Sequence, residues 1–331
     1  MKEITSYTSQ DNPIIKELST MNKKEERNLK RFRHTPIVVL DTCVCRALYE
    51  DNGYQRFEEL KRIKDSGVNF CVSDIALTEL EISLARESIK PDQWRVMMDR
   101  LNGIVSPLFP MIESSKQLFE MAEVSERKTK RVPFDYKKAS EFSRNHFMTS
   151  FSYKNKDSIT YIISDAEKGL NNKKNHWIEF LESNIKMKDV FKKIILRISK
   201  NKDKSEDIRT NIIASMLMKE LDAIFYSIPN FSTRIDILIR YMARTILRSI
   251  NSKESFNVYC NKRKNDGIDF VLLEALMLPA RICTYDKMNN IKLIKSYQSN
   301  WILSPENLFH EFNETNILTK LCFETTSLPE H

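Results

Sequence analysis

Asp41, Glu79, Asp269 and Asp286 stand in settings from which carboxylates can act together. Asp41 closes the apolar run Ile37-Val38-Val39-Leu40, and Asp286 follows Ala280-Arg281-Ile282-Cys283-Thr284. Both runs read as strands of a parallel sheet, and in open sheets of that kind functional groups collect beyond the strands' carboxyl ends. Glu79 falls about one and a half turns into the helix expected after a second strand, Val68 to Val72. Asp269 falls in the first turn of a helix expected from about Asp266, and Asp266 competes with it for the same role. Four carboxylates held together repel one another unless a hard cation lies among them. Oxygen-only ligation favours Mg²⁺ or Mn²⁺ over zinc. With one or two such ions, a site of this kind activates water and stabilises the leaving oxygen of a phosphodiester.

Each acid also has a purely structural explanation. An Asp after a strand often serves as a turn or cap residue. Glu79 shares its helix with Glu81 and Glu87, and all three fit a solvated face. Asp266 and Asp269 fit the N-cap and N3 positions of their helix, and Asp286 before Lys287 fits a turn. The order and setting of all four carry the case, not any one of them.

Basic residues lie near these acids in sequence. Arg240, Arg244 and Arg248 recur every four residues, which predicts a ridge on a helix whose apolar stripe (Ile235, Leu238, Ile239, Met242, Ile246, Ile250) faces elsewhere. Lys262-Arg263-Lys264 come directly before the acidic helix. A phosphate backbone laid along this ridge would be delivered to the acids, although solvated surface charge accounts for the same pattern. The net charge of +8 suits a polyanionic partner and does not demand one.

The elements that must position these groups follow from the chain's patterning. Residues 1–35 are polar and read as an arm or short helix with a basic tip. After the first strand, helices are expected to about Glu50 and from Gln55 to Asp65, with Gly67 in a left-handed cap. The second strand leads through Ser73-Asp74 into a helix, Gly103 to Phe109 reads as a third strand, and Glu113 to Val124 as another helix. From 125 to 258 the alternation stops, and several helices are expected, among them Ser205 to Ile228 and Ser232 to Ile250 with serine N-caps. The sheet pattern returns with the Asp286 strand, a last strand from Asn300 to Leu303 and a helix from Pro305 to Phe312. The fold class is therefore α/β, a parallel sheet between helices interrupted by an all-helical insertion. Its sheet-bearing part is 36–124 with 259–316, leaving 317–331 as a tail.

These segments resemble PIN-domain nucleases, the family that includes VapC-type toxins. Ile37-Val38-Val39-Leu40-Asp41-Thr42-Cys43 looks like the family's opening strand and first acid, and Cys71-Val72-Ser73-Asp74-Ile75-Ala76-Leu77-Thr78-Glu79-Leu80 like its second strand and acid-bearing helix. Asp269-Phe270-Val271-Leu272-Leu273-Glu274-Ala275-Leu276 resembles the helix of the third acid. Ile282-Cys283-Thr284-Tyr285-Asp286 is similar to the strand that supplies the fourth acid and an assisting hydroxyl. Trp301 to Leu308 looks like the closing strand and helix. The family usually has a short junction where this chain inserts its helical segment.

The resemblance implies an endoribonuclease that leaves a 5′-phosphate and a 3′-hydroxyl. In it Asp41, Asp269 and Asp286 bind metal, Glu79 binds metal or orients water, and Thr284 supports the site. Asp266 either caps its helix or holds a metal-bound water. The resemblance also raises a toxin or antiviral role, a protein inhibitor and a homodimer. Two alternatives stay open: a PIN-like scaffold with little activity, and a nuclease acting on single-stranded or flap DNA. A phosphatase of the haloacid dehalogenase type is excluded, because Cys43 stands where its Asp-x-Asp motif needs the second Asp. The six cysteines form no C-x-x-C pair and read as buried free thiols. No apolar run approaches the ~20 residues that span a bilayer, and Met1-Lys2-Glu3-Ile4-Thr5 lacks the apolar stretch expected of a signal peptide. A cytoplasmic protein with no membrane partner is expected.

Overall fold

The computed structural model describes residues 24, 27–32, 35–113, 118, 121, 134–186, 193, 206–221, 231–251, 259, 261–278, 280–286 and 301–315. Four β-branched or leucine side chains in a row leave no polar face, so β1 (Ile37–Leu40) is buried on both sides at the centre of the sheet. It pairs in parallel with β2 (Asn69–Ser73) and with β4 (Ala280–Cys283). β3 (Met111–Ile112) adds to β2, and β5 (Ile302–Leu303) adds to β4. The order is β3-β2-β1-β4-β5, all parallel. After β1 the chain builds outward in one direction to β3, then returns to the other side of β1 for β4. The topological switch point therefore lies between β1 and β4, where parallel sheets open a crevice at their carboxyl ends.

Helices cover both faces. Val38 and Leu40 share a core with Val44 of α1 (Thr42–Ala47), Leu60 and Ile63 of α2 (Gly53–Asp65), Leu77 and Leu80 of α3 (Asp74–Ala85) and Trp94 of α4 (Pro91–Ile104). Ile37 and Val39 point the other way, toward Leu29, Phe32 and Phe109. The expected arm is thus tied into the core through Leu29 and Phe32 of a helical stretch over residues 27–32.

The region between β3 and β4 contains α5 (Tyr136–Ser152), α6 (Thr160–Lys186), α7 (Glu206–Leu221), α8 (Phe231–Asn251) and α9 (Asn261–Leu273). A 3₁₀ turn, Glu274–Met277, follows α9. Trp177 and Leu181 of α6, Ile213 of α7 and Ile239 of α8 share one apolar cluster with Ile282 of β4 and Ile302 of β5. The helices therefore cover the β4–β5 end of the sheet. The last helix is α10 (Pro305–Thr315). No helix among the described residues is long and apolar enough to cross a membrane.

Several boundaries differ from the sequence expectation. Gly103 to Phe109 does not form the third strand, because Pro91 starts α4 and Trp94, Met97, Met98, Leu101 and Ile104 bury one helical stripe through to Ile104. Only Val105 bridges to Phe70, and the strand itself is displaced to Met111–Ile112. The first helix ends at Ala47 instead of about Glu50. α8 begins at Phe231, so Ser232 lies inside it. α9 begins at Asn261, which puts Lys262, Arg263 and Lys264 in its first turn and Asp266 and Asp269 in later turns, away from the N-cap and N3 positions. Gly67 adopts the expected positive φ, 103°. Most of the helix expected over 113–124 and the tail after 316 lie outside the described residues.

The junction of α6 with α9 depends on Gly267. A Cβ there would meet Cβ and Cγ of Trp177 at 2.6 and 2.8 Å, near the stiff root of that side chain. Trp177 stacks on Phe270 at 5.1 Å, so the two helices cannot part locally without losing that contact. Gly267→Ala is expected to destabilise the protein by ~1–3 kcal/mol in chemical denaturation, although alanine favours a helix more than glycine does.

Candidate functional site

Asp41 leaves β1 with its N–H still paired to the Cys283 carbonyl of β4 at 3.0 Å, and it caps α1 from an extended conformation. Its side chain is held by three donors. Oδ1 accepts from the Thr42 N–H at 2.7 Å. Oδ2 accepts from the Thr284 hydroxyl at 2.6 Å and from the Cys43 thiol at 3.2 Å. Thr284 is buried directly after β4, and its Oγ1 accepts from the Asp286 N–H at 3.0 Å. One hydroxyl therefore fixes the first acid and the backbone of the last across the switch point.

Glu79 is tied to the same corner from α3. Its Oε2 accepts from the Thr42 hydroxyl at 2.6 Å, so Thr42 links Asp41 through its backbone and Glu79 through its side chain. Burial raises the Glu79 pKa above the ordinary glutamate value. The Thr42 bond opposes that shift, the Asp41 charge adds to it, and the Lys174 and Arg46 charges also oppose it. Arg46 is held in place by donating to Ser83 at 2.6 Å. Burial and the Asp41 charge push the Cys43 thiol up to about 11, so it stays protonated at neutral pH and remains a donor to Asp41.

The solvated-face explanation of Glu79, Glu81 and Glu87 holds only for the last. Glu81 is buried and bound by Ser150 at 2.5 Å, whereas exposed Glu87 pairs with Lys156 at 3.2 Å.

Asp266 and Asp269 approach from α9. Asp266 is buried, and its main-chain carbonyl accepts from the Tyr241 hydroxyl of α8 at 2.9 Å. Burial holds that phenol well above its usual range, and the charges of Asp269, Asp266 and Asp286 raise it further against the opposing charge of Arg248. The charges of these three acids are therefore felt at Tyr241, while Asp41 and Glu79 both bond Thr42. Thr284 and the Asp286 backbone join the two groups. Among the described residues no three acids, histidines or cysteines stand close enough together to hold one ion.

The oxygen donors at this corner are of the kind a hard divalent cation takes, although they are not gathered into a ligand group. Glu79 is a carboxylate whose charge burial disfavours, and its Oε1 has no hydrogen bond among the described residues. A cation beside it offsets that penalty, and the oxygen-only set suits Mg²⁺ or Mn²⁺. No family model, no curated protein and no solved structure matches the chain. What the crevice can do follows from its geometry alone.

The basic ridge is less open than the sequence implied. Arg244 is only 9% exposed, and Arg240 and Arg248 are half-buried. Arg240 donates to Asn211 of α7. α8 buries Tyr241, Ala243, Thr245 and Leu247 as well as Leu238, Ile239 and Ile246 of the expected stripe, so it is enclosed on more than one side. The side chains of Lys262, Arg263 and Lys264 lie outside the described residues.

Sequence reasoning missed Thr42 and Tyr241. Thr42 had a signal, its place directly after Asp41, whereas Tyr241 reaches Asp266 across 25 residues and had none. It also assigned Cys43 to packing alone. Cys45, Cys71 and Cys283 are buried free thiols as expected, and half-buried Cys43 is free too. Cys260 and Cys322 lie outside the described residues.

The raised pKa of Glu79 has a measurable consequence. Its ionisation opposes folding, so the penalty is absent below the ordinary glutamate range and grows as pH rises through the raised value. Glu79→Gln is expected to raise the melting temperature of metal-free protein at neutral pH. The gain should shrink toward about pH 4, where glutamate is protonated in both states. The same variant should lose the stabilisation that Mn²⁺ gives the native chain.

Proposed function

We propose that the chain is a metal-dependent endoribonuclease of the PIN type. The reading rests chiefly on the cradle around Asp41, in which Thr284 and Thr42 tie it to the Asp286 backbone and to Glu79 at the switch point of the sheet. Mg²⁺ or Mn²⁺ would be held by Asp41, Asp269 and Asp286, which do not form a closed cluster without the ion, with Glu79 at the same ion or at the attacking water and Asp266 in support. The bound ion supplies positive charge that polarises the phosphodiester and eases loss of a proton from water.

The chain's own groups do the rest. Thr284 fixes the Asp41 carboxylate, so that no reorientation is needed when substrate enters. Thr42 holds Glu79, whose pKa lies above the ordinary glutamate value and so nearer neutrality, as a general base requires. Thr284→Val keeps the shape but removes the hydroxyl from Asp41 and the acceptor from the Asp286 N–H. It is expected to slow cleavage about 10- to 100-fold, as loss of an orienting partner at a metal ligand does, and Thr284→Ser should retain most activity.

The test is incubation of the native chain with labelled single-stranded RNA and matched DNA, in Mg²⁺ or Mn²⁺ and in EDTA. The proposal expects RNA to be cut only with metal, leaving 5′-phosphate ends. Cutting that persists in EDTA, or RNA and DNA both intact under every condition, would overturn it. Cutting of the DNA instead would move the substrate class and keep the chemistry. A second reading, a PIN-like scaffold, draws on the division of the acids into two groups without a closed cluster. In either case the helix-rich region is the surface we assign to a protein inhibitor or a second copy of the chain, with a toxin or antiviral role resting on the family resemblance alone.

A further inference from the structure

Beside the acids, beyond the carboxyl ends of β2 and β3, the structure has a cavity of about 220 Å³. Asp74, Ile75 and Thr78 of α3, Phe142 and His146 of α5, and Lys173 of α6 line it, together with Leu170. Phe142 is 48% exposed, an uncommon place for a large apolar ring, and it meets His146 edge-on at 5.9 Å. Polar groups lie at the same cavity: the Thr78 hydroxyl, the His146 ring, and Asp74 and Lys173, which pair at 2.8 Å.

Two helical turns connect this cavity to the acids. Ile75 packs against Leu170, and both line the cavity. One turn along α3 from Ile75 is Glu79, and one turn along α6 from Leu170 is Lys174. The Lys174 charge acts on Glu79, and among the described residues Lys174 has no hydrogen bond or ion pair. It is half-buried, one turn from a cavity-lining residue, with its charge felt at Glu79.

We propose that α3, α5 and α6 form a nucleotide site for single-stranded nucleic acid, in which the cavity takes one unstacked base against Phe142 and Lys174 takes the adjoining phosphate. The inference rests on the nuclease reading and names its substrate class. An exposed ring supplies a stacking face, and the surrounding polar atoms meet a base edge. A half-buried lysine one turn away supplies the phosphate contact that delivers the strand to Asp41 and Glu79. A base in a duplex is stacked and paired, so its face cannot enter the cavity. The site therefore selects single strands.

The test is fluorescence anisotropy of a short labelled single-stranded RNA, in EDTA so that binding is read without cutting. Phe142→Ala is expected to weaken binding roughly five- to a hundredfold, the range for losing one stacked base. Lys174→Ala should also weaken it and flatten the slope of log K against log salt by about 0.7, as expected for one phosphate contact on a single strand. Met148→Ala, exposed on the same helix, should bind as the native chain does. A duplex of the same sequence should bind the native chain no better than single strand binds Phe142→Ala. The inference is overturned if the native chain binds no single strand, if Phe142→Ala binds as tightly as native, or if duplex and single strand compete equally. A chain that binds in the expected way yet never cuts keeps this site and loses the nuclease reading. One that cuts through Asp41 but binds without Phe142 loses this site alone.

Discussion

Asp41→Asn is expected to slow metal-dependent RNA cleavage by roughly 10³-fold, about 4 kcal/mol of transition-state stabilisation, while the protein stays folded. The amide can still accept from the Thr42 N–H through one oxygen, and asparagine caps a helix as well as aspartate does. What changes is the other half of the side chain. Oδ2 now accepts from both Thr284 and Cys43, and an NH₂ in its place confronts two donors. Thr284 also accepts from the Asp286 N–H, so its hydroxyl proton cannot simply be turned toward that partner. The negative charge that would balance a cation is lost at the same time. The stability cost is expected to be ~1–2 kcal/mol, the range for one disturbed hydrogen-bonded group. Single-turnover cleavage and denaturant unfolding of the same preparation check both figures. Cleavage within a factor of ten of native, in a folded protein, would contradict the role given to Asp41.

Glu311→Ala should be the most destabilising of the changes considered, by ~3 kcal/mol or more, the range for leaving a buried charge uncompensated. Arg281 lies on β4, 1% exposed, between partner strands on both sides. Its Nη1 donates to Glu311 of α10 at 2.7 Å, and its Nε and Nη2 have no hydrogen-bond partner among the described residues. Removing the carboxylate strands a guanidinium in the core, whereas replacing both ends with apolar groups removes the problem. Arg281→Met combined with Glu311→Leu should therefore recover most of the loss. Arg281 is three residues from Thr284, so the single variant is also expected to lower cleavage. A cost under about 1 kcal/mol would mean that water reaches the pair.

Part of this arrangement is legible in the sequence. β1 was legible because Ile37-Val38-Val39-Leu40 offers no polar face, and Asp41 was legible because it ends that run. Asp286 follows from the same logic at β4, whereas the supporting role of Thr284 comes from the family resemblance. Their joining was not legible, since a parallel register such as Leu40 opposite Cys283 is set by the whole sheet. The third strand was misplaced because Ile104 and Val105 look strand-like locally, while the stripe from Trp94 onward claims Ile104 for a helix. Asp266 and Asp269 were placed too near a helix start because nothing in Asn261-Lys262-Arg263-Lys264-Asn265 marks an earlier one. Arg244 is buried although its spacing with Arg240 and Arg248 reads as an open ridge, because α8 packs on more than one side.

The central claim is that acids from both groups serve one cation, and Mn²⁺ titration followed by calorimetry or by loss of the free-ion electron paramagnetic resonance signal tests it most directly. Asp41 belongs to the group around Thr42, and Asp269 to the group around Tyr241. The native chain is expected to bind Mn²⁺, and Asp41→Asn and Asp269→Asn are each expected to lose the same binding event. If either variant binds Mn²⁺ as the native chain does, or if the native chain binds none, the two groups do not form one metal site.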